Sequence, residues 1–454
     1  MPKDGRMTLF RLAWPLFIET FLRMLIGNVN VFMLSRYSDA AVGAVGIANQ
    51  IIAMLMNVFN VVGLGTAIIV NQSLGAGEKE QAARVSKAAI AANFVFGILM
   101  SVLLSALSGN ILRLMGTPED LMKEARQYIA IVGGAVFCQA LISTMSAILR
   151  CYGFTKYPMF VAFGMNILNV LGNALVVFRP FGMPAFGVAG IAITVVICNL
   201  AGVLAVSFVL VKKVGLGFGR TGKFQLRGKI LADIVKIGAP AAGEYISYSI
   251  TQVILTGMTT SLGSTAVMTR VYIQTVTVFI SVLSLSLGLA TQIRIGHMIG
   301  AGEAEQARKL CLKSLRIAVV INAALTLALI LARKPVLMLF TKDPAILRVG
   351  STILILDLLW ETGRPLNHIV VNSLRGTGDV RYPTGIAILS MWGIGVPLSW
   401  FMGLHLHFGL VGIWLASAAD EWFRGLIVLR RWYSQKWRQM AVVRAASRQE
   451  EPSA

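Results

Sequence analysis

The residues able to do chemistry in this chain are few, and they sit where water is scarce. Glu19 and Arg23 fall in the stretch 10–34, Glu244 in 233–257, Asp357, Glu361 and Arg364 in 348–371, and Asp420, Glu421 and Arg424 in 410–430. Each stretch is otherwise largely apolar. An ionisable group at the centre of a membrane helix costs about 2.5–3.5 kcal/mol or more, so each needs a partner or a task. The task suited to a carboxylate is reversible uptake of a proton or a small cation, and Glu19, Glu244, Asp357 and Glu361 are the ion-coupling candidates. Asp357, Glu361 and Arg364 stand at i, i+4 and i+7, with Asn367 and His368 one turn on, so all share a helix face. Glu19 and Arg23 stand at i and i+4 in the favourable order. Glu244 has no basic residue in its own stretch. It must find a partner on another helix, face a wet cavity or stay protonated. Asp420 and Arg424 read as a structural i, i+4 pair.

Around these groups, Arg23, Asn30, Gln50, Tyr248, Gln274, Trp360, Arg364 and Asn367 are candidates for lining a substrate path. Most intramembrane amides simply bridge helices, each contributing around 0.6 kcal/mol. Pro15, Pro240 and Pro365 each remove a backbone hydrogen bond within an apolar stretch and are candidate hinges. Pro365 should also free carbonyls able to meet a cation. No metal-ligand motif such as H-E-x-x-H is present, and Cys138, Cys151, Cys198 and Cys311 are scattered. The expectation is therefore no enzyme, no metal and no cofactor beyond a coupling ion, H+ or Na+.

The elements that must hold these residues are helices in a bilayer. The 454 residues are 56% hydrophobic and 13% charged, against about 25% charged in soluble proteins. Mean hydropathy is +0.74. Twelve apolar stretches of roughly 20 residues occur at 10–34, 46–70, 88–108, 127–149, 158–178, 188–211, 233–257, 270–293, 314–333, 348–371, 383–404 and 410–430. They do not alternate with period two, which excludes a membrane barrel. The net charge of +21 invites a nucleic-acid reading, but its distribution says otherwise. Connections on the side of the termini carry 28 Lys and Arg, the opposite connections 10. This puts both termini in the cytoplasm of a multi-pass protein, a bacterial inner membrane being the expected home. The basic connection 212–232 also suits anionic headgroups.

Sliding the sequence against itself exposes a repeat at an offset of 225 residues. Pro15 and Glu19 match Pro240 and Glu244. Gly75–Ala82 matches Gly300–Ala307 at all but one position, and Leu149, Arg150 and Gly153 match Leu374, Arg375 and Gly378. Each half carries six stretches, so both halves enter the membrane the same way, a parallel repeat. The expected organisation is an N-terminal six-helix bundle at 1–211, a basic linker at 212–232, a C-terminal six-helix bundle at 233–430 and a basic tail at 431–454. The Asp357–Arg364 cluster has no counterpart in the first half, where Val132, Val136 and Gln139 stand. Symmetric folding does not require it, which favours function.

Certain motifs are more specific. Pro15 and Glu19, the run Phe32–Ser38 leading into Ala40–Gly46, the two Gly-Ala-Gly-Glu loops and Leu-Arg-Gly-Thr-Gly-Asp at 374–379 resemble the MATE (multidrug and toxic compound extrusion) family of the MOP flippase superfamily, over residues 8–430 or so. The resemblance implies two six-helix bundles around a central cleft. It also implies an antiporter that exports organic solutes (drugs, toxins or metabolites) in exchange for protons or sodium ions and works as a monomer. A flippase for a lipid-linked precursor is the alternative. In several branches an aspartate precedes the segment resembling Phe32–Gly46; here Asn30 stands there. The sodium-linked branch's span-10 aspartate falls on Arg364, and its span-7 glutamate falls near Tyr248, a turn from Glu244. Neither ion site carries over residue by residue. Glu361, Gly363, Arg364 and Asn367 instead match a subgroup pattern, Glu-x-Gly-Arg-x-x-Asn.

Overall fold

In the computed structural model, residues 8–35, 38–178, 187–216 and 228–443 are described. Among them the chain is helical, without strands. Twelve long helices follow in order: α1 (Leu9–Ser35), α2 (Asp39–Gly75), α3 (Lys79–Leu114), α4 (Glu119–Gly133 and Val136–Cys151), α5 (Lys156–Phe178), α6 (Gly187–Val214), α7 (Gly228–Ser261), α8 (Ser264–Gly300), α9 (Ala304–Leu331), α10 (Pro344–Pro365, continued through Leu366–Val371 and Asn372–Thr377), α11 (Arg381–His405) and α12 (Gly409–Tyr433). Each apolar stretch read from the sequence lies in one of them, except that 314–333 runs two residues past the end of α9 at Leu331, and several helices run longer. The 37 residues of α2 and of α8 span about 55 Å at 1.5 Å per residue, well beyond a hydrocarbon core of about 30 Å. Their ends therefore project into the polar zones.

Seven helices (α2, α3, α5, α6, α8, α9 and α11) are each long and apolar enough to cross a membrane, and α4, bent by 45° at its break, makes an eighth. The four that fall short are α1, α7, α10 and α12. These hold Glu19, Glu244, Asp357 with Glu361, and Glu421, so the groups that would carry chemistry also lower the hydropathy of their helices.

The repeat shows in how helices end. After α2, Gly77 takes φ +81° and after α8 Gly302 takes φ +79°, conformations that glycine adopts without strain. This lets the amide of Glu78 reach the Ser73 carbonyl and that of Glu303 reach Met298, both at 2.8 Å. The near-identity of the two Gly-Ala-Gly-Glu loops is thus a requirement of helix termination.

The described chain divides into two compact units. One comprises residues 18–70 and 79–238, the other 8–17, 71–78 and 239–443. In the first, Phe59, Leu104, Leu112, Tyr128, Ile129 and Ile191 form a closed core. The first turns of α7 belong to it: Gly65 of α2 lies against the Ile234 backbone and Gly238 against that of Val61. In the second, Ile295, Ile369, Leu374, Val428, Trp432 and Trp437 form the largest core. Here the first turns of α1 take part, Leu12 and Leu16 packing with Ala290 and Ile293. At the 225-residue offset Gly65 corresponds to Ala290 and Leu9 to Ile234, so one type of contact is built once in each unit. The linker residues 217–227 and the tail beyond 443 lie outside the described residues.

The last turn of α2 is bound into the second unit tightly. Gln72 donates to the Gly376 carbonyl (3.0 Å) and accepts from the amides of Val442 and Val443 (2.8 and 3.0 Å). Gly75 abuts the His297 carbonyl, and its repeat-mate Gly300 abuts the Gln72 carbonyl. A Cβ at either glycine would overlap a backbone oxygen. Gly75→Ala and Gly300→Ala are each expected to destabilise the protein by about 3 kcal/mol, seen as a lowered melting temperature in detergent. Unchanged melting in both would refute this reciprocal contact.

Candidate functional site

The second unit gathers the cluster that the sequence places on α10. Glu361 is fully buried. Its Oε1 pairs with Arg364 at 3.0 Å and accepts from the Ser281 hydroxyl of α8 at 3.2 Å. Asn322 of α9 donates to Glu361 Oε2 at 3.4 Å and to the Glu361 carbonyl at 3.0 Å. The second contact has a covalent origin. Pro365 lacks the amide that would bond the carbonyl four residues earlier, and that carbonyl belongs to Glu361. Asn322 fills the gap, and the helix passes Pro365 into a π turn at Leu366–Val371. The freed oxygen thus has a donor from a neighbouring helix. Gly288 of α8 lies directly against the His368 carbonyl within the same π turn.

Asp357 is 1% exposed. Its Oδ1 accepts from the Trp414 indole of α12 at 3.0 Å, and its Oδ2 has no donor among the described residues. Trp414 meets Trp360 edge to face at 4.7 Å, and the Arg364 guanidinium stacks over Trp360 at 4.9 Å. Asp357, Trp414, Trp360, Arg364 and Glu361 therefore form one chain of contacts. Asn367 forms a second group with α12, donating to the carbonyl (2.8 Å) and Oε1 (2.7 Å) of Glu421, which pairs with Arg424 at 3.0 Å. The expected Asp420–Arg424 pair gives way to Glu421–Arg424. Positions 420 and 421 point about 100° apart on a helix. Asp420 turns toward α11, where Gly395 leaves room and the Ser390 hydroxyl donates to it.

The electrostatic balance is uneven. Four buried carboxylates (Asp357, Glu361, Asp420 and Glu421) face two guanidiniums (Arg364 and Arg424). Both ion pairs use a Glu, while Asp357 and Asp420 have only neutral donors. At low dielectric such an excess is costly unless a proton or cation relieves it.

Glu244 and Glu19 lie elsewhere, in two copies of one arrangement. Glu244 accepts from Arg375 at 2.7 Å and from Thr384 at 3.0 Å. In the first unit, Glu19 accepts from Arg150 at 2.9 and 3.1 Å and from Arg23 at 3.1 Å. Arg150 and Arg375 are repeat-mates, as are the two glutamates. Of the three options open to Glu244, the partner on another helix is the one realised. The signal was available in the sequence: the repeat preserves a glutamate and an arginine at one separation in both halves. Asn30 belongs to a separate polar group, accepting from Asn173 (2.7 Å), which also bonds Asn169 (3.2 Å). Gln50, Gln274 and Tyr248 are exposed, as are parts of the helix faces around them. Ser281, Asn322, Trp414 and Ser390 carry no motif and become visible only through packing. Arg270 of α8 is likewise buried, held by Gln252 at 2.9 Å and Thr259 at 3.0 Å.

Removing Arg150 leaves Glu19, whose side chain is 3% exposed, with one half-exposed partner. Arg150→Met is expected to cost about 3 kcal/mol, and Arg23→Met less than about 1 kcal/mol, measured as melting shifts of the purified protein. Equal shifts would contradict the assignment of Arg150 as the principal partner.

Comparison with known proteins agrees with this architecture. The MatE family profile matches residues 15–175 and 240–401, once in each half. An uncharacterised transporter of Bacillus subtilis, YisQ, is 41% identical over 96% of both chains. The probable multidrug resistance protein NorM of Thermotoga maritima is 24% identical over 98% of this chain and 96% of its own. Among solved structures, an outward-facing MATE transporter of the MOP superfamily superposes with a TM-score of 0.86 at 19% identity, covering 94% and 95% of the two chains. The Vibrio cholerae MATE transporter VcmN, in its bent form, gives 0.86 at 18%, covering 94% and 95%. With twelve helices, two sequence repeats and matches across nearly its whole length, the chain is a multi-pass membrane transporter of the MATE multidrug efflux family.

Proposed function

We propose that the protein exports organic solutes from the cytoplasm in exchange for protons, with Asp357 and Glu361 of α10 carrying the coupling. The observation behind this reading is the excess of two buried carboxylates over guanidiniums around α10 and α12. Protons are favoured over sodium by the character of the neighbours. The oxygens of Glu361 face an amide, a hydroxyl and a guanidinium, all donors. A sodium ion needs several converging acceptors, whereas a proton needs one free oxygen, and Asp357 Oδ2 has no donor among the described residues. Protonation of either acid would loosen its hold on Trp414 or Arg364 and change how α10 sits against α12, which links proton uptake to movement. The ring of Trp360 and the guanidinium of Arg364 offer a stacking surface and a positive charge, so zwitterionic and anionic solutes belong among the substrates tested beside cationic drugs.

The test is transport in proteoliposomes with a pH gradient or a sodium gradient imposed separately, against cationic, anionic and zwitterionic solutes. A pH gradient alone should drive export, and Glu361→Gln or Asp357→Asn should slow it at least roughly tenfold, the scale of a lost acid–base step, without loss of folded protein. Full activity in both variants would refute the residue assignment, and drive by sodium alone would refute the ion. Movement independent of either gradient would favour the flippase.

A further inference from the structure

A second cluster of charge lies far along the chain from the carboxylates, at the junction of α3 and α4 in the first unit. Arg113 in the last turn of α3, and Lys123 and Arg126 on α4, line one open cavity of about 830 Å3 together with Thr117, Glu119 and Met122. Three helix crossings separate this junction from the start of α1, so it lies on the opposite face from that start. Basic residues are scarce there: of the 10 counted on that face in the sequence, seven fall in the α3–α4 and α9–α10 connections. Cations placed against the prevailing distribution need a local reason.

None of the three is satisfied locally. Among the described residues none of them has a carboxylate within 4 Å, although Glu119, Asp120 and Glu124 occupy the same helix. The Arg126 side chain lies over Gly109 of α3, where a larger residue would meet it. Thr117 lines the cavity, is 8% exposed, and its hydroxyl makes no hydrogen bond within the protein. The α4 N-terminus has no side-chain cap. Even with Glu119 ionised, the lining carries two net positive charges. Beside Arg113, Leu114 is 89% exposed, an apolar side chain that fits the level where hydrocarbon meets headgroups.

The geometry points to an anion-binding site for a phosphate group, held by Arg113, Lys123 and Arg126 with the Thr117 hydroxyl as a further donor. Two guanidiniums and an ammonium around one cavity match phosphate oxygens well. The same chemistry is offered by the headgroup of an anionic phospholipid and by free phosphate, and the exposed Leu114 favours the lipid.

The experiment uses the intact transporter in nanodiscs of phosphatidylcholine with or without phosphatidylglycerol, with bound lipid counted by native mass spectrometry. The wild type should retain a phosphatidylglycerol that the triple variant Arg113→Gln, Lys123→Gln, Arg126→Gln loses, with the apparent Kd raised roughly tenfold or more. In phosphatidylcholine alone, added inorganic phosphate should raise the melting temperature of the wild type and not of the triple variant. A phosphate response without lipid retention would support the site and assign it to free anions. Thr117→Val gives an independent check: removing a buried hydroxyl without a partner should stabilise the empty protein while weakening anion binding. Equal lipid retention by wild type and triple variant, with no response of either to phosphate, would overturn the proposal.

Discussion

In a hydrocarbon environment a polar group has nowhere to turn except to another part of the chain. Much of this protein's architecture follows from that constraint. The amide of Asn322 meets the carbonyl that Pro365 leaves open. The side chain of Gln72 satisfies one carbonyl and two amides at once, where α2 ends near the last described residues. Glu19 and Glu244 each meet an arginine from a helix that arrives 131 residues later. Apart from the amides of Val442 and Val443, these contacts join helices, so satisfying polar groups and assembling the bundle are largely the same event.

Against that background the second unit stands out by what it leaves unbalanced. Elsewhere Glu19 and Glu244 meet arginines; around α10 and α12 two aspartates meet only an indole and a hydroxyl. Such neutral donors hold a carboxylate in place without cancelling its charge. A site built this way is sensitive to the arrival of one small positive charge, and a fully paired site is not. The repeat sharpens the contrast. The paired glutamates occur in both halves, as a structural requirement should, and the unpaired cluster occurs in one half.

Much of the fold was legible in the sequence because membrane helices announce themselves through length and apolarity, and because the halves preserve turn glycines and entry prolines. Helix ends were less legible: α2 and α8 continue past their apolar stretches into polar zones, where hydropathy gives no signal. At the site, spacing along one helix placed Asp357, Glu361, Arg364 and Asn367 on a common face; the structure links the first three through contacts and turns Asn367 to Glu421. Spacing misjudged Asp420, because a carboxylate at i and one at i+1 compete for the same arginine and only the neighbouring helices decide between them. Partners from other helices, such as Ser281, Asn322 and Trp414, were invisible, since a lone hydroxyl, amide or indole in an apolar run carries no pattern. Arg150 and Arg375 lay between these extremes, matched in the repeat yet outside the stretches counted as spans.

The exchange of entry segments has a consequence for how the molecule is made. Leu12 and Leu16, in the first turns of α1, find their packing partners on α8, in the second half of the chain. The first turns of α7 complete the unit that contains α2 through α6. Each unit is therefore completed by a segment from the other half of the sequence. The apolar face of Leu12 and Leu16 is covered only once α8 is in place, so this small core of the second unit closes after α8 has been inserted. The boundaries of the two compact units therefore do not coincide with those of the two sequence repeats.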